Sequence, residues 1–262
     1  MFKKLINNIL GKLGYRIVQR NVIVHYQKVK PLAIEFSFLQ NYPTCATQYL
    51  LYRERSKAQL KQDLFVLAES NFKRNGFFVE FGATDGCSLS NTFILEKDFN
   101  WSGILVEPGK IWQEELNKNR KVFIDHNCVW SSSGEKLVFN EVERPSLSSV
   151  KGYERKEDRK IGKLNNKKYE VNTITLYDLL KKYNAPKVVD YLSIDTEGSE
   201  FEILRDFKFK EYKFRVITVE HNFTPNREKI YDLLTSQGYE RVHENISFFD
   251  DWFILKNVDD IQ

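Results

Sequence analysis

Two acids flank a pair of glycines at the end of an apolar run near residue 80. Gly82 and Gly86 follow Phe81, the last residue of the run, while Glu80 and Asp85 each stand close to one glycine. Glycines at the carboxyl end of a buried strand let the backbone approach a ligand closely. Two carboxylates here would repel a pyrophosphate, whereas they suit a ligand that carries an amine and a positive sulfonium. The spacing also differs from the G-x-G-x-x-G of dinucleotide sites, so the loop favours S-adenosylmethionine over NAD.

Acids also end the next two apolar runs. Glu107 closes the second run, about twenty residues beyond the glycine loop, where an acid can accept hydrogen bonds from ribose hydroxyls. NAD and S-adenosylmethionine share that ribose, so Glu107 predicts a nucleoside cofactor without choosing between them. Asp125 and Asn127 follow the third run, and either of them could meet the adenine amine.

The fourth and fifth runs end in a denser set of polar residues. Asp195 ends the fourth run, and Glu220, His221 and Asn222 follow the fifth. Neighbouring parallel strands end at the same edge of a sheet, so we expect these side chains to converge. In one interpretation His221, with Asp195, removes a proton from a substrate hydroxyl. In the other, Asp195, Glu220 and Asn222 hold a divalent cation such as Mg²⁺ or Mn²⁺, which acidifies that hydroxyl.

Short apolar runs, which alternate with helical segments after Gly76, predict the strands that position these residues. The runs lack strict alternation of apolar and polar residues, which is typical of strands buried on both faces of a parallel sheet. Thr175 is a predicted helix N-cap, and Pro225 opens a later helix that ends at Gly238. Two strand-like pieces then predict a closing hairpin, and the whole pattern predicts an open α/β sheet. The runs occupy residues 77–81, 104–106, 122–124, 188–194 and 216–219.

The first 70 residues predict a helical extension that precedes an α/β domain at residues 71–262. Apolar residues recur at helical spacing over residues 2–13, and we expect this helix to pack on its own domain, with contact to a membrane surface or a partner as the alternative. Ser56 is the predicted N-cap of a second helix. Residues 150–168 carry eight basic and three acidic side chains. This segment predicts an exposed, mobile insertion, and a lid over an acidic or phosphorylated substrate is the alternative.

The composition excludes several classes of protein. The 262 residues are 42% hydrophobic and 29% charged, which supports a sizeable core and argues against intrinsic disorder. A net charge of +4 is too small to predict nucleic-acid binding. No apolar stretch reaches the ~18 residues of a membrane span. The three cysteines, Cys45, Cys87 and Cys128, show no pairing pattern, and together with the missing signal-peptide pattern they predict a reducing cytoplasm. The oligomeric state stays open.

Together these residues resemble the FkbM family of S-adenosylmethionine-dependent methyltransferases. The resemblance spans residues 57–255 and depends on an ordered series of motifs rather than on any single one. The motifs are Gln62-Asp63, Phe78-Val79-Glu80-Phe81-Gly82-Ala83-Thr84-Asp85-Gly86, Leu89-Ser90-Asn91-Thr92, Leu95-Glu96, Trp101-Ser102-Gly103-Ile104-Leu105-Val106-Glu107-Pro108 and Ile194-Asp195-Thr196-Glu197-Gly198-Ser199-Glu200. The resemblance implies a class I, Rossmann-like methyltransferase fold, with a seven-stranded, mostly parallel sheet whose last strand is antiparallel. It also implies O-methylation of a small-molecule or glycan acceptor, commonly at a sugar hydroxyl.

The resemblance also implies roles for particular residues. The methionine part of the cofactor would lie against five loop residues: Glu80, Gly82, Ala83, Asp85 and Gly86. Glu107 would hold the ribose, and Asp195 and Glu197 match the acidic motif of the fourth strand. Two alternatives stay open. One is an NAD(P)-dependent oxidoreductase, which the missing third glycine and the loop acids disfavour. The other is a non-catalytic module that binds an anionic ligand or nucleic acid through the basic segment.

Overall fold

The computed structural model describes residue 32 and residues 34–141, 149–150 and 167–256. The chain divides into two compact units, Met1–Ala46 and Thr47–Gln262. In the described part of the first unit, residues 34–41 are helical and a 3₁₀ turn follows at Pro43–Cys45. The predicted helix at residues 2–13 and residues 151–166 of the basic segment lie outside the described residues. The domain boundary near residue 70 stays a prediction.

The second unit is built on a seven-stranded sheet with the order β10-β11-β9-β8-β1-β2-β3. Strand β11 pairs antiparallel with both of its neighbours, and the other pairings in this sheet are parallel. The predicted parallel sheet with a closing hairpin is therefore confirmed. The strands of this sheet are β1 (Phe77–Phe81), β2 (Ser102–Val106), β3 (Phe123–Asp125), β8 (Val188–Ile194), β9 (Lys213–Glu220), β10 (Tyr239–Val242) and β11 (Asp250–Leu255).

Helices of the second unit separate these strands, and some begin where the sequence predicts. The Thr175 hydroxyl accepts a hydrogen bond from the Asp178 N–H, so Thr175 is the N-cap as predicted. The cap predicted at Ser56 is wrong. Its helix begins at Gln62, and the Ser56 hydroxyl donates to Asp63 instead, at 2.7 Å. The helices are α1 (Ala46–Tyr52), α2 (Gln62–Glu69), α3 (Phe93–Phe99), α4 (Gln113–Asn119), α5 (Leu176–Lys182), α6 (Glu200–Arg205), α7 (Asn226–Ser236) and α8 (Glu244–Ser247).

A second, four-stranded sheet has the order β4-β7-β5-β6. Strands β5 and β7 pair antiparallel along six residues, and β4 adds a two-residue parallel pairing. The sequence analysis does not predict this sheet. Its strands are β4 (Cys128–Val129), β5 (Lys136–Glu141), β6 (Ser149–Val150) and β7 (Lys167–Ile174).

The core lies on the central strands of the large sheet. Every residue of β8 after its first is buried, and so is every residue of β1 after Phe77. Because apolar side chains on both faces are covered, these strands stay fixed while their carboxyl ends can carry polar residues. Among the described residues, no helix has the length and apolar character needed to cross a membrane.

Candidate functional site

A small cleft of about 40 Å³ lies where β8 and β9 end and β11 begins. Because β11 runs antiparallel, its first residues reach the same edge of the sheet as the last residues of its parallel neighbours. The loop after β1 and the start of α2 complete the walls. Most of the lining is polar, and it consists of Gln59, Gln62, Leu89, Asn91, Ser193, Ile194, Asp195, Thr218, Glu220, Phe249 and Asp250.

Gly82 lets the glycine loop lie directly against β8. Its φ is +75°, and a Cβ at this position would lie 2.0 Å from the backbone oxygen of Asp195. The Gly82 N–H donates to the Val106 carbonyl at 3.1 Å, so the loop is also tied to β2. Only glycine satisfies both the left-handed backbone and the close approach. Gly82 is thus required for contact between the loop and β8, and its predicted contact with a ligand stays a prediction.

Glu80 stabilises the loop after β1 through hydrogen bonds. Its carboxylate, 3% exposed, accepts hydrogen bonds from the Asn91 N–H at 2.7 Å and from the hydroxyls of Ser90 and Thr92. Burial raises the pKa of Glu80, and the Arg120 guanidinium, 3.8 Å away, opposes that rise. Glu80 is not among the residues that line the cleft. Its hydrogen bonds support the loop, and the contact with methionine that the resemblance implies stays a prediction.

The carboxylate of Asp85 accepts hydrogen bonds from residues of its own loop. Its carboxylate accepts hydrogen bonds from the N–H groups of Cys87 and Ser88, at 2.8 and 2.7 Å, and from the Ser88 hydroxyl. Partial burial raises the pKa of Asp85, but these hydrogen bonds outweigh it and the net shift is downward. Gly86, with φ of +74°, follows and packs against Arg120. This turn precedes α3, which begins at Phe93.

Glu107 lies at the end of β2 with its carboxylate oriented by backbone donors. One oxygen accepts from the Thr84 N–H at 2.9 Å and the other from the Gly109 N–H at 2.7 Å. Burial raises the pKa of Glu107 to about 7, and the nearby charges of Asp195 and Glu141 add to the rise. Since each carboxylate oxygen accepts two hydrogen bonds, Glu107 keeps the capacity to bind hydroxyl donors. Glu107 is not among the residues that line the cleft, and its ribose contact stays a prediction.

Three carboxylates converge at the ends of β8 and β9. Oxygens of Asp195, Glu197 and Glu220 lie within 4.8 Å of one another. Like charges at this separation repel, so the group favours a positive ligand or bound protons. The sequence analysis predicts the meeting of Asp195 with Glu220. Glu197 joins them, while the backbone N–H of the third predicted ligand, Asn222, donates to Phe249.

Asp250 is a cleft residue that the sequence analysis does not predict. It is 4% exposed, and its carboxylate accepts a hydrogen bond from the Gln62 side chain at 2.7 Å. Burial raises the pKa of Asp250 to about 7, and Asp195 contributes to that shift. Its position at the beginning of the predicted last strand could have indicated it. The first residues of an antiparallel strand lie beside the carboxyl ends of its parallel neighbours.

His221 does not line the cleft with Asp195. Its ring is 3% exposed; Nδ1 accepts a hydrogen bond from the Phe223 N–H at 2.9 Å, and Nε2 lies 3.7 Å from a carboxylate oxygen of Asp251. Burial lowers the pKa of His221. A general base must reach the proton that it removes. The position of the ring therefore does not suit the role predicted for His221.

Asp125 and Asn127 form a closed set of contacts at the end of β3. Both the backbone N–H and the side-chain amide of Asn127 donate to Asp125 at 2.8 Å, and Lys182 Nζ donates to the other carboxylate oxygen at 2.7 Å. Burial raises the pKa of Asp125, but the Lys182 and Asn127 contacts lower it overall. This arrangement fixes the end of β3 and leaves the adenine contact a prediction.

Left-handed backbone recurs around the cleft at residues that carry a Cβ. Such residues are uncommon, and they concentrate where a site requires a particular chain path. Thr84 is the most unfavourable case because its side chain is β-branched. The residues are Thr84, Leu89, Glu197, Asn222, Phe223 and Phe248, with φ between +44° and +60°.

The sheet order, the single antiparallel strand and the cleft at the strand ends define a class I, Rossmann-like methyltransferase fold. The model of the methyltransferase FkbM domain matches residues 80–241, more than half of the chain. The chain therefore belongs to the FkbM methyltransferase family, as its motifs predict.

Three solved structures with a related chain path are distant in sequence. A precorrin-6y C5,15-methyltransferase from Geobacter metallireducens GS-15 is 11% identical, with a TM-score of 0.39 over 73% of this chain and 85% of that one. A putative RNA methyltransferase from Pyrococcus horikoshii is 13% identical, with a TM-score of 0.37 over 70% and 68%. A human methyltransferase 10 domain containing protein is 11% identical, with a TM-score of 0.38 over 74% and 81%. No curated protein sequence matches the chain.

Proposed function

We propose that this protein is an S-adenosylmethionine-dependent O-methyltransferase that methylates a sugar hydroxyl of a glycan or glycosylated metabolite. The observation that carries the proposal is the convergence of Asp195, Glu197 and Glu220 beside the Gly82 loop. A cofactor with a positive sulfonium and an ammonium group compensates such a cluster, whereas a pyrophosphate increases the repulsion. The same charge argument disfavours the NAD(P)-dependent alternative.

The residues around the glycine loop fit this cofactor. Gly82 lets the loop lie directly against the backbone of Asp195, which brings the loop close to the three carboxylates. Glu107 offers carboxylate oxygens to ribose hydroxyls, and Asp195 lies near enough to raise the pKa of Glu107. The cofactor supplies a methyl group that its sulfonium has already activated. The chain would hold the nucleoside through Glu107 and the charged methionine end through the carboxylates.

Asp195 is the residue that we propose as the catalytic base. It lines the cleft at the end of β8, between the glycine loop and Glu220 on β9. Its carboxylate would accept the proton of the acceptor hydroxyl while the polar cleft walls orient that hydroxyl. The amides of Gln59, Gln62 and Asn91 offer donors and acceptors that suit a ligand with several hydroxyls.

A divalent cation at Asp195, Glu197 and Glu220 is a second proposal for the same cluster. Carboxylate oxygens are the ligands that Mg²⁺ and Mn²⁺ prefer, and three of them within 4.8 Å supply part of a coordination shell. A cation would lower the pKa of a bound hydroxyl and so reduce the need for a base. Methyl transfer that continues after thorough chelation would contradict the cation and leave Asp195 as the base.

Calorimetric titration with S-adenosylhomocysteine tests the cofactor. We expect the wild type to bind and Glu107→Ala to lose at least tenfold in affinity, since hydrogen bonds to a charged group contribute about 1.5–3 kcal/mol. Glu240→Ala is the matched control, because Glu240 is an exposed acid on β10, paired with Lys256. Equal affinity in all three proteins would place the ribose elsewhere. Absence of binding to the folded wild type would contradict the proposed cofactor.

A further inference from the structure

Phe223 is exposed in an unfavourable backbone conformation beside the cleft. Its side chain is 73% exposed, and both Phe223 and the preceding Asn222 have positive φ, at +57° and +44°. A left-handed backbone is disfavoured for residues with a Cβ, and two in succession add to the strain. An exposed aromatic ring gains little from folding. The conformation therefore presents the ring to solvent without a benefit to the core.

His221 holds Phe223 in this conformation. Its Nδ1 accepts the Phe223 N–H at 2.9 Å, and the two rings meet edge to face with centroids 5.2 Å apart. His221 itself is fixed by burial and by its backbone N–H, which donates to the Phe249 carbonyl at 2.8 Å. Phe249 lines the cleft, so this hydrogen bond joins the segment that carries Phe223 to the cleft wall.

Leu89 is a second exposed apolar residue at the same cleft. It is 58% exposed, has φ of +60° and lies in the cleft lining. Leu89 follows β1, whereas Phe223 follows β9 by three residues. Both are therefore at the edge of the sheet where Asp195 and Glu220 converge. Leu89 adds an apolar side chain to a lining rich in amides and carboxylates, and Phe223 is three residues beyond Glu220 of that lining.

We propose that Phe223 is the platform against which the apolar face of a pyranose ring binds, and that His221 is its positioning residue. A pyranose has C–H groups on its faces and hydroxyls around its edge, which matches an aromatic ring beside a polar cleft. A wholly apolar acceptor would leave the amides and carboxylates of the cleft unpaired. The proposal rests on the proposed function for the identity of the reaction, but binding of the sugar can be measured without turnover.

Saturation-transfer difference NMR with methyl α-glycosides of glucose, galactose, mannose, fucose and rhamnose tests the platform. We expect at least one glycoside to bind the wild type, with the signal strongest on ring C–H protons. Phe223→Ala should weaken binding by about 2- to 10-fold, the range for aromatic pair contacts, while Phe223→Tyr should retain it. Phe123→Ala is the matched control, because Phe123 is a half-exposed ring at the beginning of β3. Equal signals in Phe223→Ala and wild type, or no signal for any glycoside, would overturn the platform.

The positioning role of His221 has its own measurement. His221→Ala should weaken glycoside binding as Phe223→Ala does, and His221→Asn should restore part of it, because an Asn side-chain oxygen can accept the Phe223 N–H. S-adenosylhomocysteine affinity, measured on the same samples, should not change in any of these variants. A wild type that does not bind S-adenosylhomocysteine would contradict the proposed function. The glycoside measurement would still test the platform in that case. Full glycoside binding by folded His221→Ala would refute the positioning role.

Discussion

Replacing Gly82 by alanine tests whether the contact between the glycine loop and β8 is as close as the structure indicates. The substitution adds one methyl group at φ of +75°, 2.0 Å from the Asp195 backbone oxygen. Ordinary contact requires 3.4 Å or more, so the two backbones must separate by 3.4 − 2.0 = 1.4 Å. Strands β1 and β8 are paired in parallel up to Phe81 and Ile194, the residues directly before this contact. They cannot separate there without weakening hydrogen bonds.

The free energy of unfolding should fall by the sum of two terms. A left-handed conformation costs a residue with a Cβ about 1–2 kcal/mol. Overpacking against a fixed neighbour costs about 1–3 kcal/mol more. The expected loss is therefore about 2–5 kcal/mol, a substantial part of the 5–15 kcal/mol that is typical of folded domains. Because the displaced atom belongs to Asp195, the affinity for S-adenosylhomocysteine should fall as well.

Gly134→Ala separates the two terms in a urea-unfolding experiment. Gly134 has φ of +81° but no atom within 4 Å of a Cβ built on it, so only the backbone term applies. We expect Gly134→Ala to lose about 1–2 kcal/mol and to keep its affinity for S-adenosylhomocysteine. Urea m-values are about 1–3 kcal/mol/M. The extra loss of unfolding free energy in Gly82→Ala is therefore a measurable shift of the urea concentration at half-unfolding. Equal losses in the two variants would refute the close contact.

Three further predictions concern buried charged groups. The wild type should lose stability as pH rises from 4.5 to about 7, because folded Glu107 keeps a proton that the unfolded chain releases. In urea unfolding, Glu107→Gln should lose less stability across the same range. Parallel stability profiles of the two proteins would contradict the raised pKa of Glu107. Arg120→Met should cost about 3–5 kcal/mol by leaving Glu80 and Glu96 without their shared cation, and a loss below 1 kcal/mol would be inconsistent with these pairings. Gln62→Leu removes a donor to Asp250, so the pKa of Asp250 should rise in an NMR titration; an unchanged pKa would exclude the hydrogen bond.

The large sheet is predictable because its strands are buried on both faces. Burial makes β1 and β8 mostly apolar, and such runs are visible without knowledge of their neighbours. The helix cap at Thr175 is equally local, since its hydroxyl binds an N–H three residues away. Ser56 shows the limit of local reasoning. Its hydroxyl is seven residues from Asp63, and tertiary packing decides that it donates there.

The second sheet is not predictable from the same signal. Strand β5 is buried only in its last three residues, and β4 is two residues long. Neither has the length or burial that produces a clear apolar run. Their pairing with β7 joins residues 26 or more positions apart, so it depends on the tertiary path of the chain rather than on local spacing.

The candidate site is predictable in position but only partly in role. Sequence places acids at strand ends, but the path of each loop decides what a carboxylate contacts. Asp85 accepts the N–H groups of its own turn, and its pKa falls despite partial burial. Glu107 is also held by backbone donors, yet burial and the charge of Asp195 raise its pKa to about 7. Carboxylates held close to one another gain from a positive ligand, because the ligand offsets their mutual repulsion. The crowding of Asp195 with Glu220 is therefore a stronger sign of a ligand than the acids within the glycine motif.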